Sequence, residues 1–507
     1  MKKPFVLLTI LDGFGINKFG DPYEDGNAIE LAKPGFFNSL KRNYPSTELE
    51  ASGEAVGIPQ GQIGSSEVGH LNIGAGRIVE QEIIHINKEM KNGNFAKNKN
   101  LLELINYCNT KNKPLHVMGL LSRGGVHSSF HHIEEILKIA NDNKVKKLYL
   151  HAITDGRDTN PKSAKNFLKK IEQYMFDNKE WSIATLIGRF YAMDRDLRLE
   201  RTKKAYNLYT KGEGTKAKDW KSALEREYRL GKTDEFVDPI LLDKNGLIKS
   251  KDGFFFFNFR ADRAREIIKA FRGELESFKT LNLEMLTMLP YYSEYKGKNV
   301  YDIEIVKNTL GELFADNGFK QLRLSETEKK AHVTYFFSGE REKPFKNEER
   351  KIFNSPKVKT YDLAPEMKSR EITDFAIKAI KSKKYNFILI NYPNTDMVGH
   401  TGNLDATMKA VKAVDACLKR ISENIDLKEW IWVVTADHGN ADMMLEHGKI
   451  HTAHTLNPVP FTILTDTKIV LKNGKLGNIA PTIIDLINRK GIKLEKPKEM
   501  IDSLINL

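Results

Sequence analysis

Cysteine is nearly absent from this chain, which has Cys108 and Cys417 as its two cysteines among 507 residues. Two isolated cysteines exclude the dense disulfide framework of a small secreted domain, and they lack the paired spacing of a cysteine metal site. We therefore interpret both side chains as small buried apolar groups. A reducing compartment is the simpler assumption.

Long apolar runs are also missing. No segment reaches the roughly 20 apolar residues that a membrane-spanning helix needs. The first run, FVLLTIL at 5–11, ends at Asp12 and has no small-residue cleavage pattern after it, so it is typical of a buried strand rather than a secretory signal. The sequence therefore predicts a cytoplasmic protein with no membrane partner.

Acidic residues are fewer than basic ones: the chain has 80 Lys and Arg and 67 Asp and Glu, which gives a net charge of +13. This excess suggests a basic, nonenzymatic binding protein as an alternative. However, the lysines are scattered and no basic motif is interleaved with aromatics, so we expect no nucleic-acid partner. Solvated lysine faces that attract small anions explain the charge better.

Apolar β-rich runs alternate with amphipathic helical patterns along the chain. The further strand-like runs are 115–121, 147–154, 181–188, 384–392 and 430–437, and helical spacing occurs at 131–143 and 404–425. This alternation is typical of an α/β fold with parallel sheets covered by helices. The length favours two domains. Catalytic groups are then expected where strands end, as at Asp12, Asp155 and Asp437.

Carboxylates and histidines that suit a metal occur in separate segments. Asp396 and His400 are four residues apart, so one helical turn would put both on the same face. Asp437 and His438 follow an apolar strand, and Asp12 ends the first strand. Mixed carboxylate and imidazole ligands with little sulfur suit manganese(II) or zinc, whereas magnesium prefers fewer nitrogens.

Each of these patterns alone is more often a surface pair or a capped turn. Their joint occurrence with HTAHT at 451–455, where His451 and His454 are both candidates, predicts a single two-metal centre. Because its parts lie at both ends of the chain, we infer one discontinuous domain, 1–78 plus 309–507. An inserted second domain would then occupy 79–308.

A glycine-rich loop, GSSEVGHLNIGAGR at 64–77, offers Ser65 and Ser66 as hydroxyl groups. A metal lowers the pKa of a hydroxyl and offsets the repulsion between an alkoxide and a phosphate, so serine needs no separate base. The G-x-G segments lack a third glycine and a Walker motif is absent, which makes a nucleotide site the weaker interpretation. The loop therefore predicts a serine nucleophile for phosphoryl transfer.

The predicted insert supplies cations in RGGVHSS, TDGRDT, GRFYAMDRD and FNFRADRAR. Arginine clamps phosphate and carboxylate through two parallel hydrogen bonds, while His127 and Asp158 are candidates for moving protons. One arginine alone is more often part of a surface ion pair. Five of them beside turn motifs favour an anion-binding pocket: Arg157, Arg189, Arg195, Arg260 and Arg263.

In combination, LDGFG, GSSEVGHLNIGAGR, GGVHS, TDGRD, GRFYAMDRD, NFRADR, SETEKKAH, NYPNTDMVGHTG and TADHGNADMM closely resemble the motifs of the cofactor-independent phosphoglycerate mutases, in the alkaline phosphatase superfamily. The resemblance runs essentially from end to end. It implies an alkaline-phosphatase-like metal domain interrupted by an α/β substrate domain. It also implies two manganese ions, a phosphoserine intermediate, and interconversion of 3-phosphoglycerate and 2-phosphoglycerate without 2,3-bisphosphoglycerate.

The resemblance assigns roles to matching positions. Ser66 would be the nucleophile, Asp158 the acid or base at the glycerate hydroxyls, and Lys329 the balancing charge for the phosphoryl group. One ion would be bound by Asp396, His400 and His454, and the other by Asp12, Ser66, Asp437 and His438. The substrate contacts would be His127, Arg157, Asp158, Arg189, Arg195, Arg260, Arg263 and Lys329. We expect a monomer.

Two positions depart from the family pattern. Ser65 stands where asparagine is usual, which leaves two adjacent hydroxyls, and Glu340 stands where glycine is usual. Family position favours His454 over His451 as the metal ligand. A phosphomonoesterase or a phosphopentomutase on the same metal core is the alternative enzyme, but the arginine-rich insert favours the phosphoglycerate mutase. Closure of the insert over the metal domain is expected to exclude water.

Overall fold

The computed structural model describes residues 4–292, 294–302 and 305–506. The chain divides into two compact units, Met1–Gln81 with Ile305–Leu507, and Glu82–Glu304. The assignment of 1–78 plus 309–507 to metal binding and of 79–308 to substrate binding stays a prediction. None of the helices in the described part of the chain combines the length and apolar character that crossing a bilayer requires.

The first unit is built on a mixed sheet. Numbered along the whole chain, its strands are β1 (Phe5–Leu11), β2 (Ser46–Glu50), β11 (Gln321–Glu326), β12 (Glu348–Phe353), β13 (Phe387–Tyr392), β14 (Trp430–Thr435), β17 (Val459–Leu464) and β18 (Gly474–Lys475). The sheet order is β12-β11-β13-β1-β14-β17-β2-β18. The strands from β12 to β14 run parallel, whereas β17 is antiparallel to both of its neighbours. A hairpin of β15 (Leu445–Glu446) and β16 (Lys449–Ile450) lies apart from this sheet.

Helices complete the first unit: α1 (Ala28–Ala32), α2 (Gly35–Asn43), α3 (Ser66–Ala75), α12 (Leu310–Asp316), α13 (Ser369–Ser382), α14 (Asn394–Gly399), α15 (Leu404–Ser422) and α16 (Ile479–Arg489). Strands β1, β13 and β14 are buried along their whole length, as expected for parallel strands covered on both faces. One continuous apolar core includes these strands together with buried residues of α13, α15 and α16.

The second unit has its own sheet. Its strands are β3 (Leu115–Leu121), β4 (Leu148–Thr154), β5 (Trp181–Gly188), β6 (Thr215–Lys216), β7 (Ile240–Leu241), β8 (Gly253–Phe256), β9 (Glu284–Thr287) and β10 (Lys298–Asn299). They follow the order β10-β9-β8-β3-β4-β5-β7-β6 and are parallel except where β5 meets β7. A separate apolar core supports this sheet.

The helices of the second unit are α4 (Glu82–Lys91), α5 (Lys99–Thr110), α6 (Phe130–Asp142), α7 (Ala164–Met175), α8 (Arg189–Ala192), α9 (Leu199–Lys211), α10 (Trp220–Arg229) and α11 (Arg265–Phe271). Each of α5, α6 and α7 buries one apolar face, which matches the 3.6-residue periodicity of the sequence. Both cysteines are buried, as predicted.

Candidate active site

Polar residues meet at the carboxyl edge of three parallel strands in the first unit. Asp12 follows β1, Asn391 lies near the end of β13, and Asp437 comes shortly after β14. Strand β1 lies between β13 and β14 in register, so the ends of all three strands face the same edge. Asp12, Asp437 and Asp396 of α14 are almost fully buried there.

Helix α3 brings a serine hydroxyl to these carboxylates. Ser65 is the N-cap, and its Oγ accepts the backbone N–H of Val68 at 3.4 Å. Ser66 is the first helical residue, and its Oγ lies 3.1 Å from Oδ1 of Asp12 and 2.9 Å from Nε2 of His438. The two adjacent hydroxyls thus have different surroundings, and Ser66, which the family resemblance selects as the nucleophile, is the one beside the carboxylates.

Gly69 allows α3 to pack this closely. A Cβ at position 69 would lie 2.6 Å from the carbonyl oxygen of Asp437, closer than real contacts permit. The glycine in the Ser-Glu-Val-Gly run is therefore needed where the helix approaches the loop after β14. This contact fixes Ser66 relative to Asp437.

Lys329 links the carboxylates to the serine. It follows β11 in a short turn at Thr327–Lys329 and is buried. Its Nζ donates to Asp12 at 2.7 Å, to Ser66 Oγ at 2.6 Å and to Asp396 at 2.6 Å. Burial lowers the pKa of Lys329, but Asp12, Asp396 and Asp437 outweigh this and raise it, so the ammonium stays charged. Burial raises the pKa values of Asp12 and Asp396, but the Lys329 ammonium together with the neighbouring histidines outweighs burial and lowers both.

His400 and His454 direct one nitrogen each at Asp396. Nε2 of His400 and Nε2 of His454 both lie 3.2 Å from Oδ1 of Asp396, and 3.1 Å from each other. Their Nδ1 atoms donate to the carbonyl oxygens of Thr452 and Gly64, at 2.7 and 2.8 Å. These backbone hydrogen bonds place a proton on Nδ1 of each ring and direct both Nε2 atoms at the carboxylate, the orientation that metal-binding histidines have.

His438 lies between the two groups of candidate ligands. Its Nε2 lies 3.4 Å from Oδ1 of Asp12 and 3.7 Å from Oδ2 of Asp437. Burial lowers the pKa of His438, but Asp437, Asp12 and Asp396 outweigh burial and raise it to about 9. The ring of His438 stacks on that of His454 with centroids 3.8 Å apart. This stack joins the two groups of candidate ligands.

Sequence reasoning missed His70 and Asn391. Nδ1 of His70 donates to the carbonyl oxygen of Ser66 at 2.9 Å and lies 3.2 Å from Oδ2 of Asp437. Asn391 Nδ2 donates to Oδ2 of Asp12 at 2.7 Å and lies 3.1 Å from Nε2 of His70. The sequence spacing could have indicated His70, because it is four residues after Ser66 and so lies on the same helix face.

The donor set fits divalent metal ions. Two groups have ligand atoms close enough to share an ion: Asp396 with His438 and His454, and Asp12 with His70 and Asp437. Three buried carboxylates face one lysine, and buried charge is unfavourable unless it is compensated. Oxygen and imidazole ligands around such a negative group are typical of a site for a divalent transition metal.

His451 and Glu340, which the sequence analysis also singled out, each have a defined hydrogen bond to the backbone. His451 donates through Nδ1 to the carbonyl oxygen of Met443 at 3.2 Å, whereas His454 is the histidine beside Asp396. Glu340 has a φ of +67°, a backbone conformation that favours glycine. Its N–H donates to the carbonyl oxygen of Tyr335, so the turn keeps its hydrogen bond.

In the second unit, Asp155 organises the loop after β4. Its Oδ1 accepts the backbone N–H groups of Arg157 and Asp158, at 3.2 and 3.0 Å, and Oδ2 accepts from Ser122 Oγ at 2.5 Å. Nη1 of Arg189 donates to Oδ1 of Asp155 at 2.6 Å and to Oδ2 of Asp158 at 2.5 Å. The buried Asp155–Arg189 pair therefore positions Asp158.

The other predicted cations lie in loops of the same unit. Arg195 and Arg260 each lie 3.2 Å from Asp262, and Nδ1 of His127 lies 3.6 Å from it. Nη1 of Arg263 donates to the carbonyl oxygen of Met193 at 3.0 Å. Nη1 of Arg157 lies 3.5 Å from Glu235. Asp262 is a further residue that sequence reasoning did not select.

The chain is similar to known proteins over nearly its whole length. The profile of the metalloenzyme superfamily matches residues 4–490. The 2,3-bisphosphoglycerate-independent phosphoglycerate mutase of Clostridium acetobutylicum is 48% identical over 512 residues, with 98% of each chain covered. The protein of the same name from Clostridioides difficile is 46% identical over 513 residues, covering 99% of this chain and 98% of the relative.

A solved structure agrees with these relatives. The Leishmania mexicana phosphoglycerate mutase, crystallised at low cobalt concentration, matches with a TM-score of 0.75 and 30% identity, covering 100% of this chain and 98% of that one. The α/β class expected from the sequence is confirmed by this match and by the two sheets. The chain belongs to the metalloenzyme superfamily and, within it, to the 2,3-bisphosphoglycerate-independent phosphoglycerate mutases.

Proposed function

We propose that this chain interconverts 3-phosphoglycerate and 2-phosphoglycerate through a phosphoserine on Ser66. The observation that carries the proposal is the setting of Ser66 Oγ, which lies within 3.1 Å of Asp12, Lys329 and His438. The relatives named as phosphoglycerate mutases support the choice of substrate. The reaction is a step of glycolysis and gluconeogenesis, which agrees with a cytoplasmic location.

The residues of the first unit fit two divalent ions, and we assign these as manganese(II). Asp396, His400 and His454 would hold one ion, and Asp12, Ser66, Asp437 and His438 the other. Bound divalent ions would stabilise the Ser66 alkoxide and offset the negative charge of the phosphoryl group. Their binding also compensates the buried carboxylates, which Lys329 alone does not balance.

Ser66 is well placed to receive a phosphoryl group. Its Oγ forms a bond to phosphorus as the bond from phosphorus to the glycerate oxygen breaks, and the reverse transfer goes to the other glycerate oxygen. Lys329 Nζ holds Ser66 Oγ and carries a positive charge beside the group in transfer. Ser66 is also the first residue of α3, where the helix dipole and free N–H groups favour an anion.

The second unit would bind the glycerate. Arg157, Arg195, Arg260 and Arg263 supply planar forks for carboxylate and phosphate oxygens. Asp158 would give a proton to the departing glycerate oxygen and take one from the other hydroxyl. Its Oδ2 is held by Arg189, which fixes the carboxyl group without burying it fully.

An assay of the purified protein with manganese and 3-phosphoglycerate tests the proposal. We expect 2-phosphoglycerate to form without added 2,3-bisphosphoglycerate and with little free phosphate. Release of mostly inorganic phosphate would instead indicate a phosphomonoesterase on the same core. Size-exclusion chromatography with light scattering would test the proposed monomer.

A further inference from the structure

Asp262 contacts three of the groups proposed to bind the substrate. Its Oδ2 lies 3.2 Å from Nη1 of Arg195. Its Oδ1 lies 3.2 Å from Nε of Arg260 and 3.6 Å from Nδ1 of His127. One carboxylate therefore connects side chains from three separate segments of the second unit, although the sequence motifs draw attention to the basic residues alone.

The atoms at the centre of this contact have unused hydrogen-bonding capacity. Oδ1 of Asp262 and Nδ1 of His127 are both buried, and neither has a hydrogen-bond partner among the described residues. Buried polar atoms are nearly always satisfied, so two neighbouring exceptions call for an explanation. A ligand that carries oxygen atoms and a hydroxyl group would satisfy both of them.

Asp155 provides the contrast. It accepts two backbone N–H groups, the Ser122 hydroxyl and Arg189, with distances down to 2.5 Å, and its side chain is 1% exposed. Asp262 makes longer contacts, to cationic or ring groups, and its side chain is 29% exposed. Asp155 is therefore fixed within its loop. Asp262 is held mainly by charges that a bound anion would also attract.

The charge states of Asp262 and His127 also indicate that Asp262 is held mainly by positive charges. Burial raises the pKa of Asp262, but its cationic neighbours, Arg260 before Arg195, lower the pKa below its usual value, so the carboxylate is charged at neutral pH. Burial, with help from neighbouring arginines, lowers the pKa of His127 to about 3, so this ring is neutral. The contacts of Asp262 are thus two ion pairs and one contact with a neutral imidazole.

We propose that Asp262 is a positioning residue that acts as an exchangeable counter-ion: it holds Arg195, Arg260 and His127 in place and yields them to an anionic group of the substrate. The identity of that substrate rests on the proposed function. The exchange itself applies to any small oxyanion that reaches these side chains. Removing the carboxylate would make the arginines more attractive to anions but less well positioned.

Asp262→Asn tests this proposal, because it keeps the shape and removes the charge. Sulfate is a suitable probe, since it is a dianion that resembles phosphate but cannot be transferred. Isothermal titration calorimetry should show sulfate binding about threefold more tightly or better in the variant, because one competing charge is gone. With 3-phosphoglycerate, kcat should fall about tenfold while KM does not rise, because positioning rather than attraction is lost.

Two further variants complete the experiment. Asp262→Glu restores a carboxylate and should return the sulfate affinity towards that of the wild type. Asp374→Asn is the control: it removes a comparable Asp–Arg ion pair, with Arg420 of the first unit, and should leave sulfate affinity, kcat and KM unchanged. Unchanged or weaker sulfate binding in Asp262→Asn would overturn the proposal. A lower Tm with unchanged sulfate affinity would show a structural role and overturn it equally.

The calorimetry also separates this proposal from the proposed function. If the wild type binds sulfate and Asp262→Asn binds it more tightly, the counter-ion role stands even if no mutase activity is found. If the wild type is an active mutase and the sulfate affinities are equal, the proposed function stands and the role of Asp262 is rejected.

Discussion

At the scale of single residues, one peptide bond separates two serines with different environments. Ser65 caps α3 through Val68, whereas Ser66 points at Asp12, Lys329 and His438. Both hydroxyls are present in the sequence pattern, so the pattern alone leaves the nucleophile open. The helix start decides which of the two faces the carboxylates.

The first prediction concerns these serines. Ser66→Ala should reduce kcat with 3-phosphoglycerate by at least about 10³-fold, because the proposed phosphoryl acceptor is gone. Ser65→Ala should keep turnover and lower the unfolding free energy by about 1 kcal/mol, since it removes an N-cap. Ser65→Asn, which restores a good cap, is the matched control and should behave like the wild type in urea unfolding. An active Ser66→Ala protein would move the nucleophile to Ser65.

The second prediction concerns Glu326, which is fully buried at the end of β11 and accepts the N–H of Lys368. Burial raises its pKa to about 7, above the value of an unfolded chain. The folded protein therefore holds this proton more tightly, and stability is lost as the pH rises from about 4.3 to about 7. Glu326→Gln should thus have an unfolding free energy about 1–3 kcal/mol higher than the wild type at pH 8, but little higher at pH 5.

Thermal unfolding of both proteins at pH 5 and pH 8 measures this difference. Glu371→Gln is the control: there burial raises the pKa, but the hydrogen bond and charge of Lys368 together with a backbone hydrogen bond outweigh burial and lower it. Glu371→Gln should therefore not raise Tm at pH 8. An equal Tm difference for Glu326→Gln at both pH values would contradict the raised pKa.

At the scale of elements, local patterns predicted the strands well and their ends less well. The runs at 115–121 and 181–188 match β3 and β5, whereas 384–392 shortens to Phe387–Tyr392. The helical pattern at 404–425 ends at Ser422 in α15. Apolar periodicity marks what a sheet or core buries, but hydrogen bonds at the ends depend on neighbouring elements.

The third prediction concerns the turn at Glu340. Its φ of +67° is unfavourable for a residue with a Cβ atom. Glu340→Gly should therefore raise the unfolding free energy by about 0.5–1 kcal/mol, despite the greater entropy of an unfolded glycine. Glu340→Ala keeps the Cβ and should give no such gain. Urea unfolding of both variants checks this, and equal stabilities would show that the turn is not strained.

At the scale of the whole molecule, the first unit is assembled from both ends of the chain. Lys329 and Asp12 are 317 positions apart in sequence, yet their side chains are 2.7 Å apart. Contacts between residues so far apart in the sequence form only when the complete sheet is folded. Metal binding at the proposed centre is therefore expected to stabilise the first unit.

The fourth prediction tests this coupling. Manganese added to metal-free protein should raise Tm in a concentration-dependent way, by an amount equivalent to about 3 kcal/mol at a hundredfold excess over the dissociation constant. Asp396→Asn should lose most of this rise, because it removes the negative charge of the carboxylate that both His400 and His454 contact. The surface variant Asp374→Asn should keep it. The rise should also shrink at pH 5, since the ligands must be deprotonated.

Differential scanning calorimetry with and without a chelator measures this coupling. The same Tm for metal-free and manganese-treated wild type would argue against a metal centre in the first unit. A full rise in Asp396→Asn would show that Asp396 is not a ligand.

The sequence by itself determined the α/β alternation, the buried strands that end at Asp12 and Asp437, and the four-residue spacing of Asp396 and His400, because these depend on local periodicity. The family resemblance selected Ser66 and His454, but only the tertiary structure shows that Ser66 lies beside Asp12, that His454 contacts Asp396, and that His70 joins the group. These contacts join residues far apart in the chain, and packing of the sheet and α3 brings them together.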